Sequence, residues 1–195
     1  MIRKNLLGLA SLAAMLVAAP AHADILDGNV GDKSFRFSLY GAMPEWVSLP
    51  TAQYDVGTII RPEKDEDLLQ IYAGAVITGE YGWSDVWKFA AGYGARAIYV
   101  GQDHDSSGAL ALGGMFEARF PDIKELGISA YVYGAPKALT LGEVEEYLEY
   151  AASVDYKLTD GFALYVGYRY VRYDIGARQD LVADNGLHGG FRYWF

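Results

Sequence analysis

Apolar and polar residues alternate along most of this chain, most regularly over its last nine residues. Successive side chains of a β-strand point to opposite faces, so residues two apart share a face. One face of residues 187–195 carries the apolar side chains of Leu187, Phe191, Tyr193 and Phe195. The other face carries His188, Arg192 and Trp194. The first face suits lipid and the second suits a polar interior, as in a strand of a membrane β-barrel.

The same alternation recurs from about residue 52 as amphipathic segments separated by turn signals. We predict eight such strands: 52–61, 68–80, 87–101, 109–120, 125–134, 143–158, 162–174 and 187–195. The longer polar loops are placed on the outer side and the tight turns on the periplasmic side. The predicted outer loops are 61–67, 102–108, 135–142 and 175–186. The pattern predicts an all-β fold, a small transmembrane antiparallel up-and-down β-barrel of about eight strands at residues 52–195.

Residues 24–51 do not fit this count. Residues 24–33 are polar and glycine-containing without a period, whereas 34–41 alternate, and Pro44 and Pro50 end any strand there. The segment is an extra edge strand, a piece folded into the barrel mouth, or a sign that the count is wrong. We predict a short N-terminal strand or plug.

The first 23 residues have the pattern of a secretory signal peptide. Arg3 and Lys4 precede an apolar run at residues 6–19 that is too short to span a bilayer, and Ala21-His22-Ala23 is an A-x-A cleavage site. No later segment is an apolar run of about 18 residues, so only a closed barrel could cross a bilayer. The sequence therefore predicts export, with a cleaved signal peptide, to the outer membrane of a Gram-negative bacterium.

Composition narrows the function classes. Without the signal peptide, 14 basic and 25 acidic residues remain, a net charge of −11, which disfavours nucleic acid as a partner. The 16 Tyr and four Trp residues suit the aromatic girdles of membrane barrels. The chain has no Cys, which removes disulfide and thiolate chemistry. We predict outer-membrane lipid and lipopolysaccharide as the surroundings of the barrel.

Charged residues of both signs fall on the inward faces of the predicted strands. These are Arg96, Glu117, Arg119, Glu149, Asp155, Arg169 and Arg192. Small barrels fill their lumen with side chains, and charges buried there must be paired, so we interpret the set as a structural network. The alternative is a proton or ion path, which would make the protein a narrow passive channel for ions or small solutes.

Two further sets of residues have the side-chain types of a catalytic site and of a metal site. Ser153, His188 and Glu149 are the residue types of a catalytic triad, and a lipid-modifying outer-membrane enzyme is a distant third hypothesis. His104, between two aspartates, and the acidic residues at 143–146 could hold a divalent cation, but the spacing matches no cation loop. We predict no catalytic, cofactor or metal site, and no enzymatic activity.

Several runs in the last third of the chain form a recognisable series. They are Ile128-Ser129-Ala130-Tyr131-Val132-Tyr133-Gly134-Ala135-Pro136, Tyr147-Leu148-Glu149, Val166-Gly167-Tyr168-Arg169-Tyr170 and Val182-Ala183-Asp184-Asn185-Gly186. In this order, the runs resemble the YfaZ family of small proteobacterial outer-membrane proteins. The resemblance covers residues 127–195 and implies an outer-membrane β-barrel of uncharacterised activity. It carries over no site residues, so the function we expect is a structural or surface-interaction role.

Phe191, Tyr193 and Phe195 form a predicted assembly signal. A terminal Phe preceded by alternating apolar residues resembles the closing strand of outer-membrane barrels, which the barrel-assembly machinery reads by pairing with an exposed edge.

Deleting Phe195, or replacing it by Asp, should cripple insertion, because either change removes lipid-facing area and the recognition signal together. The measurement is the amount of heat-modifiable protein in outer-membrane fractions. Wild-type levels of folded protein for either variant would contradict the assignment.

Overall fold

The computed structural model describes residues 25–44, 51–62, 67–82, 88–102, 105–176 and 180–195. The strands are β1 (Ile25–Gly31), β2 (Phe35–Ala42), β3 (Ala52–Arg61), β4 (Leu68–Gly82), β5 (Lys88–Gln102), β6 (Asp105–Arg119), β7 (Leu126–Ala135), β8 (Thr140–Leu141), β9 (Glu146–Thr159), β10 (Phe162–Asp174) and β11 (Leu181–Trp194). A short 3₁₀ turn, Lys137–Leu139, precedes β8. No helix in these ranges is long and apolar enough to cross a membrane.

Ten of these strands form one closed antiparallel barrel. Each strand pairs with its neighbour in sequence, except that β7 pairs with β9 across β8, and β1 pairs with β11 to complete the ring. β8 pairs with β6 and lies outside the ring. The predicted all-β antiparallel barrel is confirmed, and the predicted count of eight strands is wrong, because the barrel has ten.

The two missing strands come from the N-terminal segment, so the barrel begins at Ile25 and not at Ala52. Asp27 and Asn29 of β1 are buried inside the ring, which made the segment look like a polar loop. The outward Gly28 lies beneath the ring of Phe191, since a Cβ there would meet that ring at 2.8 Å. The neighbouring strand β11 therefore supplies the apolar cover at the position of Gly28, where β1 has no side chain.

The strands are staggered around the ring. Starting at Val30, the paired residues can be followed from strand to strand around the ring in either direction until they reach β5. One direction arrives at Phe89 and the other at Gly101, and the offset of twelve residues between these two positions is the shear of the barrel. A shear of twelve for ten strands implies a tilt of about 40°. The resulting lumen is wider than that of an eight-stranded barrel, and more side-chain volume is needed to fill it.

The outer surface is an apolar belt. Exposed large apolar side chains lie on strands all around the ring, including Val30, Phe35, Tyr93, Leu112, Val132, Val154, Val166 and Leu187. The six side chains from Tyr93 to Leu187 in this list are outward positions that the alternation predicts, whereas Val30 and Phe35 lie in the N-terminal segment that the prediction left out of the barrel. Val144 is an exception. The alternation of the predicted strand 143–158 puts it on the outward apolar face, but it lies in the connection between β7 and β9 and is buried in the core cluster.

Three predicted loops are partly strand. β6 starts at Asp105 and β11 at Leu181, inside the predicted loops 102–108 and 175–186, and the two-residue β8 lies inside the predicted loop 135–142. Strand ends that extend beyond an apolar belt have no need of apolar side chains, so their polar composition resembles that of a loop.

Arg in place of Val166 should lower the free energy of unfolding by about 2–4 kcal/mol, because it would put a charge on the lipid-facing surface. Val166 is 67% exposed on this surface. Val166→Leu is the matched control and should stay near wild type. Urea titration in lipid vesicles measures both, and equal stabilities for Val166→Arg and wild type would show that the register is wrong.

Candidate functional site

The lumen contains the buried polar and charged groups of the protein, so it is the candidate site. We call the end where β1 begins and β11 finishes the terminal end, and the opposite end the distal end. Two kinds of packing fill the space between them: an apolar and tyrosine-rich cluster in the distal half, and ion pairs nearer the terminal end.

A cluster of buried apolar side chains packs in the distal half. Its members are Ile59, Leu68, Tyr72, Val76, Ile98, Val100, Ala109, Ala111, Tyr133, Ala135, Val144, Tyr147, Val171, Tyr173 and Ala183. The rings of Tyr147 and Tyr173 lie 5.1 Å apart, and the hydroxyl of Tyr173 donates to Gln70 Oε1. Gln70 Nε2 donates in turn to Tyr147 Oη at 3.3 Å, so the polar atoms inside the cluster are satisfied.

A central ion-pair layer lies next to this cluster. Arg96 donates to Asp55 Oδ2 from Nε at 2.6 Å and lies 3.5 Å from Glu149 Oε2 through Nη1. Its guanidinium carbon is 3.8 Å from the centre of the Tyr133 ring. All three charged side chains are at most 3% exposed, so a single arginine bridges two carboxylates away from water.

A second arginine, Arg36 on β2, completes the layer. Arg36 Nη2 donates to Tyr72 Oη at 2.7 Å, and its Nη1 donates to Tyr131 Oη and lies 3.8 Å from Glu149 Oε1. Glu149 also accepts from Tyr131 Oη at 2.8 Å and from Tyr147 Oη. The layer therefore ties β2, β3, β5, β7 and β9 together across the lumen.

Arg169 forms a separate buried cluster on β10. It donates to Asp184 Oδ2 at 2.7 Å, to Asn29 Oδ1 at 2.8 Å and to Ser34 Oγ at 2.8 Å. Ser34 donates to Asp184 Oδ2 at 2.6 Å. This cluster fastens the β1–β2 hairpin to β10 and β11, where the ring closes.

The terminal half contains an open cavity of about 600 Å³, which we call the vestibule. All ten barrel strands, or the residues next to them, line it, and its ion pairs lie along the wall. Arg192 is 3.1 Å from Asp27 Oδ2 and 3.5 Å from Glu117 Oε1, and Arg119 is 2.7 Å from Asp155 Oδ2. The vestibule therefore contrasts with the packed distal half.

All seven predicted lumen charges point into the barrel, and each takes part in an ion pair. Sequence reasoning missed four of their companions: Asp27, Arg36, Asp55 and Asp184. Asp27 and Arg36 lie in the N-terminal segment left out of the barrel, and Asp184 lies in a predicted loop. Asp55 lies on the polar face of the predicted strand 52–61, which the alternation turns inward, and that facing was the signal that could have added it.

The triad residue types do not assemble into a triad. Ser153 Oγ lies 2.8 Å from Ser129 Oγ, and the carboxylate of Glu149 is bound by Tyr131, Tyr147 and Arg96. A triad needs its carboxylate on the histidine. His188 Nδ1 instead has no hydrogen-bond partner among the described residues.

The metal hypothesis concerns the distal loops. His104 lies outside the described residues. Within the described ranges, no group of three or more His, Asp or Glu side chains is arranged to hold a metal ion.

The predicted assembly signal lies on the outer face of β11. The ring of Phe191 stacks on Phe162 at 6.0 Å, and Tyr193 meets Phe195 edge-on at 5.0 Å. Phe195 is 71% exposed. These aromatic side chains form an outward cluster at the terminal end.

Glu149→Ala should lower the free energy of unfolding by about 3–5 kcal/mol, because it leaves Arg96 and Arg36 with less compensation in a desolvated layer. Glu146→Ala on the same strand is the control. Its partner Arg172 is 3.4 Å away and the pair is partly exposed, so the loss should be about 0–1 kcal/mol. Equal losses for the two variants in urea unfolding would contradict a desolvated layer.

Comparisons with known proteins place the chain in a family without giving an activity. No curated protein matches the sequence. Among solved structures, the KdgM porin is similar with 13% identity and a TM-score of 0.40, over 89% of this chain and 99% of that one. A KdgM porin in complex with disordered oligogalacturonate is similar with 11% identity, a TM-score of 0.40 and the same coverage. The family described as YfaZ precursor matches residues 56–195, most of the sequence, so the chain belongs to the YfaZ family.

Proposed function

We propose that this protein is an integral outer-membrane barrel that is closed to permeation and has a structural or surface-interaction role. The closed ring satisfies its backbone hydrogen bonds internally, as a bilayer requires, and its outer face is apolar. The predicted signal peptide supports export to the outer membrane.

The filled distal lumen is the observation that carries this proposal. Tyr72, Tyr133, Tyr147 and Tyr173 are each at most 1% exposed. They pack across the ring against the layer formed by Arg36, Arg96, Asp55 and Glu149. A solute entering from the terminal end would have to displace both paired charges and packed rings, and unpaired buried charges cost several kcal/mol.

The partners we infer are those of a barrel held in this membrane. Lipid contacts the apolar belt, and the barrel-assembly machinery acts on the β11 end during biogenesis. Paired charges lie near the distal mouth, where Arg172 is 3.3 Å from Asp180 and Lys137 is 2.5 Å from Glu145. We assign this charged rim to lipopolysaccharide and its bridging cations, and we assign no nucleic-acid partner.

A narrow passive channel is the second candidate, and the vestibule is the observation that favours it. A cavity of about 600 Å³ with charges of both signs could be the mouth of a solute path. Such a path would have to continue through the distal cluster.

Planar-bilayer recording distinguishes the two candidates. Purified wild-type protein should show no stable conductance, whereas the double variant Tyr147→Ala/Tyr173→Ala should show openings, because it removes two packed rings from the barrier. Folding of both proteins is checked first by heat modifiability. A reproducible wild-type conductance whose ion selectivity changes in Glu149→Ala would overturn the closed barrel.

A further inference from the structure

A groove of about 740 Å³ crosses the apolar belt on the outer wall of the barrel. It runs over six adjacent strands, from Val30 on β1 across β11, β10, β9 and β7 to Phe116 on β6. Apart from the hydroxyl of Tyr168, the outward side chains along it are apolar. Because the groove opens onto the belt that faces the hydrocarbon of a bilayer, the molecule that fills it must itself be apolar there.

Two rows of outward residues, each linked by strand pairing, form the sides of the groove. The members of one row are Val30, Gly189, Val166, Val154 and Ile128. The members of the other row are Leu187, Tyr168, Ala152, Ala130 and Phe116. The larger side chains stand out from the wall, and the space between the rows is accessible from the bilayer.

Gly189 shows that the protein leaves this space unfilled. It lies within β11, where the backbone is extended and suits any residue type. A Cβ at this position would meet its nearest neighbour, the carbonyl oxygen of Tyr165, at 3.9 Å, which is an ordinary contact. A larger side chain would therefore fit at residue 189. Together with Ala130 and Ala152, this glycine keeps the groove deep.

The groove has the length and slope of one leaflet of a bilayer. Six adjacent strands span about 24 Å across the wall at the usual strand spacing. Rows perpendicular to strands that tilt by about 40° then cover about 15 Å along the barrel axis. The hydrocarbon core of a bilayer is about 30 Å thick, so this distance equals one leaflet. A single acyl chain is the occupant that matches these dimensions.

The groove slopes toward the terminal end of the barrel. Val30 lies one residue from the distal end of β1, whereas Ile128 lies two residues from the start of β7 and Phe116 three residues from the end of β6. The turn between β6 and β7, residues 120–125, is therefore beside the terminal opening of the groove. Ile123 in this turn is 49% exposed, which suits a side chain at the lipid interface.

The same turn carries charges of both signs. Asp122, Lys124 and Glu125 are all exposed. Such a turn matches a zwitterionic headgroup, whose phosphate can face Lys124 and whose ammonium can face the carboxylates. The excess of carboxylates disfavours an anionic headgroup at this position.

We propose that this groove holds one acyl chain of a zwitterionic phospholipid from the leaflet on the terminal side, with the lipid headgroup at residues 120–125. The inference rests on the proposed function, because only a barrel held in the membrane meets such a lipid. It names one lipid class at one position, whereas the rest of the belt contacts lipid without selection.

Native mass spectrometry of the folded barrel, purified in detergent, tests the lipid class. Three probes are offered separately: phosphatidylethanolamine, the anionic phosphatidylglycerol with the same acyl chains, and lipid A from the opposite leaflet. Phosphatidylethanolamine should be retained at one molecule per barrel, and it should bind more tightly than either of the other two lipids.

Ala152→Phe puts a ring into the groove and should weaken phosphatidylethanolamine binding about tenfold or more, because the ring displaces methylene groups of the chain from their contacts. Ala97→Phe is the matched control, since Ala97 is also an exposed outward alanine but lies on β5, outside the groove. It should leave binding unchanged. Gly189→Leu fills the groove from another strand and should also weaken binding, which keeps the test decisive if Ala152→Phe does not fold.

Three outcomes would overturn the inference, with folding of every protein scored by heat modifiability. A folded wild-type barrel that retains no phospholipid is the first, and it leaves the proposed function standing, because bilayer recording tests that function separately. Preferential retention of phosphatidylglycerol or lipid A is the second. The third is equal phosphatidylethanolamine affinity in wild type and in whichever of Ala152→Phe and Gly189→Leu folds, which would place the lipid elsewhere on the belt.

Discussion

Closure of the ring between β1 and β11 is the constraint on which the rest of the structure depends. A backbone group left unpaired in lipid costs several kcal/mol, so a barrel wall cannot have an open edge. Here Ile25–Gly31 pairs with residues 188–194, and the Arg169 cluster holds the same junction from inside. With ten strands and a shear of twelve, closure also fixes a wide lumen, which large inward side chains must then occupy.

Tyrosine and arginine side chains fill this wide lumen and also bind each other, which aliphatic side chains could not do. Arg36 and Arg96 both lie over the rings of Tyr72 and Tyr131, at 4.8–5.4 Å from the ring centres, so guanidinium planes and phenol rings alternate across the lumen. The phenol hydroxyls then reach the carboxylate of Glu149. Buried ion pairs add little net stability over apolar packing, so the physical benefit of this layer is a unique arrangement of the strands that it joins.

The facing of most strands could be read from the sequence because lipid tolerates almost no polar outward residue. That rule failed for β1, where the outward position is a glycine. The ring of Phe191 covers Gly28, and Phe191 is distant in sequence although it lies on the neighbouring strand β11. It also failed beyond the apolar belt, where Asp184 belongs to a strand that reads as a loop. The sequence could not predict which inward charges pair with each other. The ion pair between Arg96 and Asp55, for example, joins β5 to β3 across the intervening strand β4. Such a pair depends on the shear of the barrel and on how far each side chain reaches, and neither can be read from the sequence.

The two halves of the lumen differ in how they are filled. In the distal half, the hydroxyl of Tyr173 donates to Gln70 and the amide of Gln70 donates to Tyr147, so these polar groups satisfy one another within an apolar cluster. In the terminal half, the ion pairs of Arg192 and Arg119 lie along the wall of the open vestibule. Apolar and aromatic packing can fill the distal half because its few polar groups satisfy one another. The charged side chains of the terminal half instead pair along the wall, which leaves the centre of that half open.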